Sequence, residues 1–503
     1  MEKIRVKKLN HVNLQIECDA GIQMEISEHF CFYVPGYKFM PAFKNRMWDG
    51  KIRLFDVRKQ TLYCGLFHYL KEFAEARDYQ IIVEDNRVYG RPDTEEVIDV
   101  PALLDELTLS AGKKLIKPRD YQISALDHAL RHRQSLLLSP TASGKSLIIY
   151  MALRYYLETY EDNVLLIVPT TSLVEQMYSD FEDYAYFEEE FRVEDNCHRI
   201  YSGKEKFGIK KRVIITTWQS VYKLPGTWFQ EFGMVVGDEA HNFKAKSLTS
   251  ILEKCCNAKY RIGTTGTLDG TQTHQLVLEG LFGPVEKVTT TKELIDQGAL
   301  ADLDVSVILL KYADEICQKV SKLKYQDEID YIVRNEERNR FITNLALDQD
   351  GNTLVLFQFV DKHGKPLHDM MRKKLESFGD TNRKLFYVSG ETDVDTREKI
   401  REITETQSDA IIVASLGTFS TGINIKSLNN IIFASPSKSQ IKVLQSIGRG
   451  LRKSADGKGT KVFDIADDLH WKAKKNYTLQ HAGVRISIYS KEKFKYKIYE
   501  VSL

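Results

Sequence analysis

A chain of 503 residues is longer than one hydrophobic core serves, since single cores rarely exceed about 250–300 residues, so several domains are expected. With 43% hydrophobic and 28% charged residues and no apolar run near the ~18–20 residues of a membrane span, the composition excludes membrane insertion, and the basic start MEKIRVKKLNHVNL lacks the apolar stretch of a secretory signal. A net charge of +1 supplies no global field for polyanions, so any nucleic-acid contact must come from local patches. Residues 1–110 carry alternating stretches (VNLQIE at 12–17, KIRLFDV at 51–57, QIIVED at 80–85) that predict short strands of a small α+β domain. Gly90 and Pro92 interrupt that pattern before the helix-like PALLDELTLSA.

From 111 to 290 the rhythm changes. Short apolar runs (SLLLSP, NVLLIVPT, RVIITTW, MVVGDEA, YRIGTTGT) alternate with helical stretches, the signature of a buried parallel sheet covered by helices. Between 291 and 470 a second alternation follows: SVILL, then NTLVLFQFV, KLFYVSG, DAIIVAS, NNIIFAS and TKVFDIA. A second α/β domain is implied. The tail, 471–503, sets eight Lys/Arg against two Glu and interleaves them with Tyr477, Tyr489, Phe494, Tyr496 and Tyr499. Its SKEKFKYKIYEV predicts a strand with one basic and one apolar face, suited to DNA contact or to a lysine-protected sheet edge. Seven cysteines are scattered without a CxxC pair, which argues against disulfides and zinc and predicts buried reduced thiols.

After SLLL comes Ser139-Pro140-Thr141-Ala142-Ser143-Gly144-Lys145-Ser146 and then LIIYMAL, giving the strand, loop and helix order of a phosphate-binding loop. Backbone N–H groups of the turn and helix N-terminus cradle phosphates, Lys145 neutralises the β/γ oxygens and the Ser146 hydroxyl ligates Mg²⁺. Ser139 stands where the pattern has its first glycine, and an ordinary strand-to-helix turn with an exposed lysine reads similarly. Downstream, Met-Val-Val-Gly-Asp238-Glu239-Ala240-His241 puts two carboxylates directly after an apolar strand, at the sheet edge where α/β folds collect ligands. Asp238 would orient Mg²⁺ and Glu239 the water that attacks the γ-phosphate. An isolated acidic pair there is more often helix N-terminal charge; the upstream loop reverses that reading.

The phosphate loop followed by DEAH resembles the superfamily 2 DExH-box helicases, and further motifs stand in family order across 119–452. The resemblance implies two tandem RecA-like domains with ATP and Mg²⁺ as cofactors. It implies adenine recognition by Gln122 with Arg119 nearby, and nucleotide contact from Thr141, Ala142, Ser143 and Gly144. It implies nucleic-acid contact by Pro169, Thr170 and Thr171 and by Thr216 and Thr217, and coupling through His241, Thr265 and Thr267. In the second domain Ser420-Thr421-Gly422-Ile423-Asn424 looks like motif V, with Thr421 on the nucleic acid and Gly422 on the nucleotide, although Asn424 replaces the usual aspartate. Gln445-Ser446-Ile447-Gly448-Arg449-Gly450-Leu451-Arg452 matches Q-x-x-G-R-x-x-R, in which Gln445, Arg449 and Arg452 would act on the transferring phosphoryl as arginine fingers do.

RDYQ, GTTGT and QSIGRGLRK look most like the DNA-repair and restriction-motor branch, and FYVPGYKFMPAFKNRMWDGKIRLFD resembles the amino-terminal segment of T-even phage recombination and repair helicases. That implies a monomeric, phage-encoded enzyme of the host cytoplasm acting on branched DNA and on duplex/single-strand junctions. Its activities would be fork regression, Holliday-junction branch migration, R-loop unwinding and annealing, alongside replication and recombination proteins. Arg46 and Trp48, in a basic and aromatic segment, would contact DNA; a solvated basic face with Trp48 in the core is the competing reading. The alternatives are an RNA helicase, which RNA-stimulated hydrolysis would favour, and a non-catalytic scaffold, which the intact motif residues argue against.

Overall fold

The computed structural model describes residues 2–84, 98–201, 203–243, 246–268, 271–379, 383–422, 425, 428–436, 447–448 and 459–503. Two compact units form, one of Met1–Ser139 with Gly144–Val288, the other of Thr289–Leu503 with the loop residues Pro140–Ser143.

The first unit begins with strands β1 (Lys3–Lys8) and β2 (Asn13–Glu17), a hairpin of β3 (Cys31–Tyr33) with β4 (Lys51–Arg53), then β5 (Thr61–Tyr63) and β6 (Gln80–Val83). β5, β2, β1 and β6 form one sheet in that order. In β1 the period of two is clean: Ile4 and Val6 are fully buried while Lys3, Arg5 and Lys7 are exposed, so this basic cluster is the solvated face of the strand. KIRLFDV is a strand only over Lys51–Arg53. Gly90 and Pro92 lie outside the described residues. The small sheet packs on the rest of its unit: His11 N–H donates to the Cys256 carbonyl (3.1 Å), Gln134 Nε2 to the His11 carbonyl (2.9 Å), and the Tyr63 hydroxyl to Glu253 (2.6 Å).

A short hairpin follows, β7 (Ser110–Ala111) with β8 (Lys114–Leu115). Next come β9 (Gln134–Leu138), β10 (Asn163–Val168), β11 (Cys197–Ile200), β12 (Val213–Thr217), β13 (Phe232–Asp238), β14 (Tyr260–Thr265) and β15 (Val285–Lys287). They form one parallel sheet in the order β11-β12-β10-β13-β14-β9-β15. Its central strands are buried on both faces, which is why they read as continuous apolar runs rather than alternations.

The second unit holds β16 (Leu303–Lys311), β17 (Thr353–Phe357), β18 (Leu385–Val388), β19 (Ile411–Ser415), β20 (Asn430–Phe433), β21 (Thr460–Asp468) and β22 (Lys495–Ser502). They are parallel throughout, in the order β18-β19-β17-β20-β21-β16-β22. Numbered within its own domain, each sheet therefore runs third, fourth, second, fifth, sixth, first, seventh. The two halves are topological duplicates.

The tail completes this second sheet. Helix Tyr477–Lys491 leads into β22, which pairs along its whole length with β16 and forms an edge. The expected apolar face of the strand is not buried: Tyr496 and Ile498 are exposed, and it is Val501 and Leu503, in register with Lys495 and Lys497, that join the core. Interspersed lysines are what keeps such an edge from pairing with another chain. All seven cysteines are free thiols; Cys64, Cys197, Cys255 and Cys317 are buried, while Cys18, Cys31 and Cys256 are half-buried. Among the described residues no helix is long and apolar enough to cross a membrane, and no cluster of three or more His, Cys, Asp or Glu could hold a metal.

Candidate active site

The phosphate loop lies between β9 and the helix Lys145–Thr159, at the carboxyl edge of the first sheet. Ser139, fully buried, donates its N–H to the Thr265 carbonyl at 2.9 Å. Its φ is not positive, so the absent first glycine is not required there; the left-handed positions are Ala142 (φ 65°) and Gly144 (φ 82°). At Gly144 a Cβ would also meet the Gln122 amide nitrogen, the end of a side chain that can shift, so it is the positive φ that calls for glycine. The turn closes on itself, with the Ser143 hydroxyl donating to the Pro140 carbonyl at 2.7 Å. Lys145 Nζ donates to the Ser139 carbonyl (3.2 Å), which folds the ammonium back over the loop.

Gln122 is held from the other side. Its Oε1 accepts the Arg119 N–H (2.8 Å) in a capping box at the start of helix Asp120–His132, which leaves the amide nitrogen aimed at Gly144. The Arg119 guanidinium is turned to the Tyr121 hydroxyl (3.0 Å).

Asp238 ends β13, and its Oδ1 accepts the Thr264 hydroxyl from the adjacent strand at 2.7 Å. Burial, with the neighbouring Glu239 charge as the second cause, pushes the Asp238 carboxyl up; Lys145 and the Thr264 hydroxyl act against that rise. Glu239 adopts φ 51°, ψ 50°, the left-handed conformation that only a fixed turn imposes on a side-chain-bearing residue. His241 Nδ1 lies 3.0 Å from the Thr265 hydroxyl and 3.3 Å from Glu239 Oε2. The Thr265 hydroxyl donates its one proton to the Thr267 carbonyl (3.0 Å), so towards the imidazole it accepts, and His241 carries its proton on Nδ1. Thr267 is buried, and its hydroxyl has no partner among the described residues.

Lys145, Gly144, Gln122, Asp238, Glu239, His241 and Thr265 thus converge on one sheet edge. Two other members were not expected from the sequence. Thr264, beside Thr265 in GTTGT, is the nearest carboxylate partner; the alternation of the strand could have nominated it. Tyr184, 38 positions from Ser146, places its hydroxyl 2.7 Å from the Ser146 Oγ, and no spacing rule links them.

The predicted nucleic-acid contacts divide. Thr170 caps helix Thr171–Tyr184, its Oγ1 accepting the Leu173 N–H at 3.3 Å, and Pro169 and Thr171 reach the surface beside it. Thr216 and Thr217 do not: they are 0% and 5% exposed. The Thr216 hydroxyl donates to the Ile200 carbonyl (2.9 Å) and the Thr217 hydroxyl pairs with Ser220 (2.9 Å). Both are spent inside the fold, because the motif sits at the end of a strand buried on both faces. Arg46 is exposed with φ 56°, and Trp48 is half-buried, its indole N–H donated to the Lys51 carbonyl at 2.8 Å rather than sunk in a core. Thr421 and Gly422 close the helix Leu416–Gly422, with their side chains outside the described ones; Gln445, Arg449 and Arg452 lie outside the described residues.

Comparison with known proteins identifies the family. The ATP-dependent DNA helicase UvsW of Enterobacteria phage T4 is 35% identical, with 100% of this chain and 99% of that protein aligned. The chain belongs to the UvsW helicase family. Residues 3–84 match the family model described as the N-terminal domain of DNA helicase UvsW, residues 115–270 the res subunit of type III restriction enzymes, and residues 337–454 the helicase conserved C-terminal domain. The crystal structure of T4 UvsW aligns at 34% identity over 99% of both chains with a TM-score of 0.53. A more distant relative, the DNA 3′-5′ translocase XPB2 of Sulfurisphaera tokodaii, is 23% identical over 76% of this chain and 90% of its own. Both parallel-sheet domains are RecA-like, as in that family, and a small domain precedes them.

Proposed function

We propose that this chain is an ATP-hydrolysing DNA helicase and translocase that works on branched DNA during recombination, repair and replication. The observation that carries the reading is the convergence of Lys145 and Asp238 at one sheet edge, in a chain that aligns with a DNA helicase over its full length.

In this reading Gln122 and Arg119 take the adenine, and the loop from Thr141 to Gly144 surrounds the phosphates. Lys145 turns from the Ser139 carbonyl to the β/γ oxygens. Ser146 and Asp238 would hold Mg²⁺, which when bound offsets phosphate charge. Glu239 orients the attacking water and takes its proton, and its imposed left-handed turn fixes where the carboxylate points. Arg449 and Arg452, with Gln445, stabilise charge on the transferring phosphoryl. His241 and Thr265 tie the Glu239 turn to the strand that also anchors Ser139, so a change at the phosphates is felt along β14. That strand, and the loop containing Thr267, carry the change towards the DNA.

Pro169, Thr170 and Thr171, with Thr421, contact the backbone, and Arg46 and Trp48 add contacts from the small domain. Phosphate contacts carry no base information, so movement is sequence-independent and falls with salt. Fork regression, Holliday-junction branch migration, R-loop unwinding and strand annealing follow from translocation at a branch, by a monomer in the host cytoplasm.

The test is ATPase rate at fixed salt with no nucleic acid, single-stranded DNA, duplex DNA, a branched junction and single-stranded RNA. Stimulation by DNA, strongest with the junction, is the expected result. Stimulation by RNA alone would make the chain an RNA helicase.

A further inference from the structure

The segment between β3 and β4 interrupts the small domain with an insert that exposes two large apolar side chains. Phe39 is 80% exposed and Met47 75%. Neither is left out for want of structure. The Tyr37 ring stacks on Tyr33 (4.6 Å between centroids, 23° between planes) and meets Phe43 edge-on (4.7 Å, 89°). Gly50, at φ 80°, lies under the Tyr37 ring, where a Cβ would collide with it, and its carbonyl accepts the Val34 N–H (2.9 Å). The insert is therefore pinned at its base while presenting a large aromatic and a thioether to solvent.

The charge around these residues selects a partner. Residues 31–53 hold five cations, Lys38, Lys44, Arg46, Lys51 and Arg53, against the single acid Asp49, and Asp49 is already paired with Arg53 at 2.5 Å. Lys38, Phe43, Lys44, Arg46, Met47, Trp48 and the Arg53-paired Asp49 line a shallow concavity of about 620 Å³, and Phe39 adjoins Lys38 in the chain. An apolar tip ringed by cations suits a ligand with an apolar face inside an anionic frame. Phenylalanine and methionine are among the side chains that nucleic-acid-binding proteins insert between base steps, and lysine and arginine hold the phosphates on either side. A protein partner would need an apolar patch surrounded by acids; DNA has this arrangement wherever a base pair loses its stacking neighbour.

Resting on the proposed DNA-motor reading, we propose that Phe39 and Met47 form a wedge that stacks on the terminal base pair at a DNA branch point, with Lys38, Lys44 and Arg46 gripping the flanking phosphates. The wedge recognises the break in stacking rather than a sequence.

The test uses the full chain without ATP, a forked DNA carrying 2-aminopurine at the branch-point base pair, and a linear duplex carrying it internally. The wild-type arm reports on the motor reading: a chain that binds neither DNA and whose ATPase ignores DNA ends that reading. Given wild-type binding, the expected result is a fluorescence change at the branch and not in the linear duplex. In the Phe39→Ala/Met47→Ala double variant the change disappears and the fork-over-duplex binding preference falls at least about fivefold, while Phe39→Trp keeps both. Both positions are exposed, so an unaltered thermal midpoint certifies the fold. A double variant that keeps the fluorescence change and the preference overturns the wedge, and would assign the tip to a protein partner.

Discussion

The two RecA-like sheets have the same strand order, and their carboxyl edges have opposite fates. In the first, the sixth strand ends in Thr264 and Thr265, whose hydroxyls turn to Asp238 and His241, and Lys145 stands close enough to Asp238 to act on its carboxyl. In the second, the sixth strand ends in Asp467 and Asp468, and the edge is filled from within. Arg338, fully buried, sets its Nε 2.7 Å from Asp467, which also takes the Tyr312 hydroxyl at 2.8 Å; Lys311 lies 2.6 Å from Asp468. Deeper on the same strand Arg485 pairs with Asp464 at 2.7 Å, again with both partners buried. The first edge gathers a lysine and two carboxylates; at the second, among the described residues, each of these three aspartates is paired with a cation of the same domain. Identical topology provides a place for a phosphate twice, and side chains decide which place stays open.

The sharpest break of this comparison is at the open edge. Lys145→Ala removes the only lysine of the loop, and ATP turnover should fall at least about a thousandfold while DNA binding persists, as read by a coupled ATPase assay beside fluorescence anisotropy. Retained turnover would dismiss the phosphate-loop assignment. At the closed edge the cost is stability. Arg338→Ala leaves Asp467 buried without its guanidinium, and denaturant unfolding should lose about 3–5 kcal/mol, a loss that a change below 1 kcal/mol would contradict.

Smaller effects refine the open edge. Tyr184→Phe frees the Ser146 hydroxyl from its partner, and the Mg²⁺ concentration for half-maximal ATPase should rise roughly tenfold with little change in the maximal rate, the behaviour of an orienting neighbour. An unchanged Mg²⁺ dependence would make the contact incidental. Asp238→Asn should abolish turnover yet raise the thermal midpoint in metal-free buffer. Because the folded pKa lies above the unfolded value, the folded chain binds the extra proton. The wild type therefore loses stability as pH rises from the unfolded value through the folded one, and keeps that deficit at neutral pH. The variant should show no such loss; a lower midpoint at neutral pH would mean that the carboxylate contributes more than its desolvation removes.

Much of this was legible in the sequence because buried parallel strands print as short apolar runs: β9, β10, β12, β13, β16, β17, β19 and β20 contain such runs, while β14 and β21 carry Arg261 and Asp464 inside theirs. The outer strands β11 (CHRI) and β15 (VEK) are short and polar, as edges are, and carried no signal. The phosphate loop and the paired carboxylates were readable because their chemistry is local. What was not readable depends on contacts remote in the chain. Thr216 and Thr217 look like surface hydroxyls until the sheet buries them, Tyr184 reaches Ser146 from another helix, and Arg338 closes the second edge from 129 positions away. The duplicate topology was hidden for a related reason: it resides in strand order, and strand order is set by tertiary packing.

The central claim is that one of two topologically identical edges takes the nucleotide. It is tested most directly by the binding stoichiometry of a fluorescent ATP analogue in Mg²⁺, measured on the full chain carrying Glu239→Gln to suppress turnover. One nucleotide per chain, and none when Lys145→Ala is added, is the predicted result. Two per chain, or one that survives the loss of Lys145, would place a nucleotide at the second edge and contradict the account.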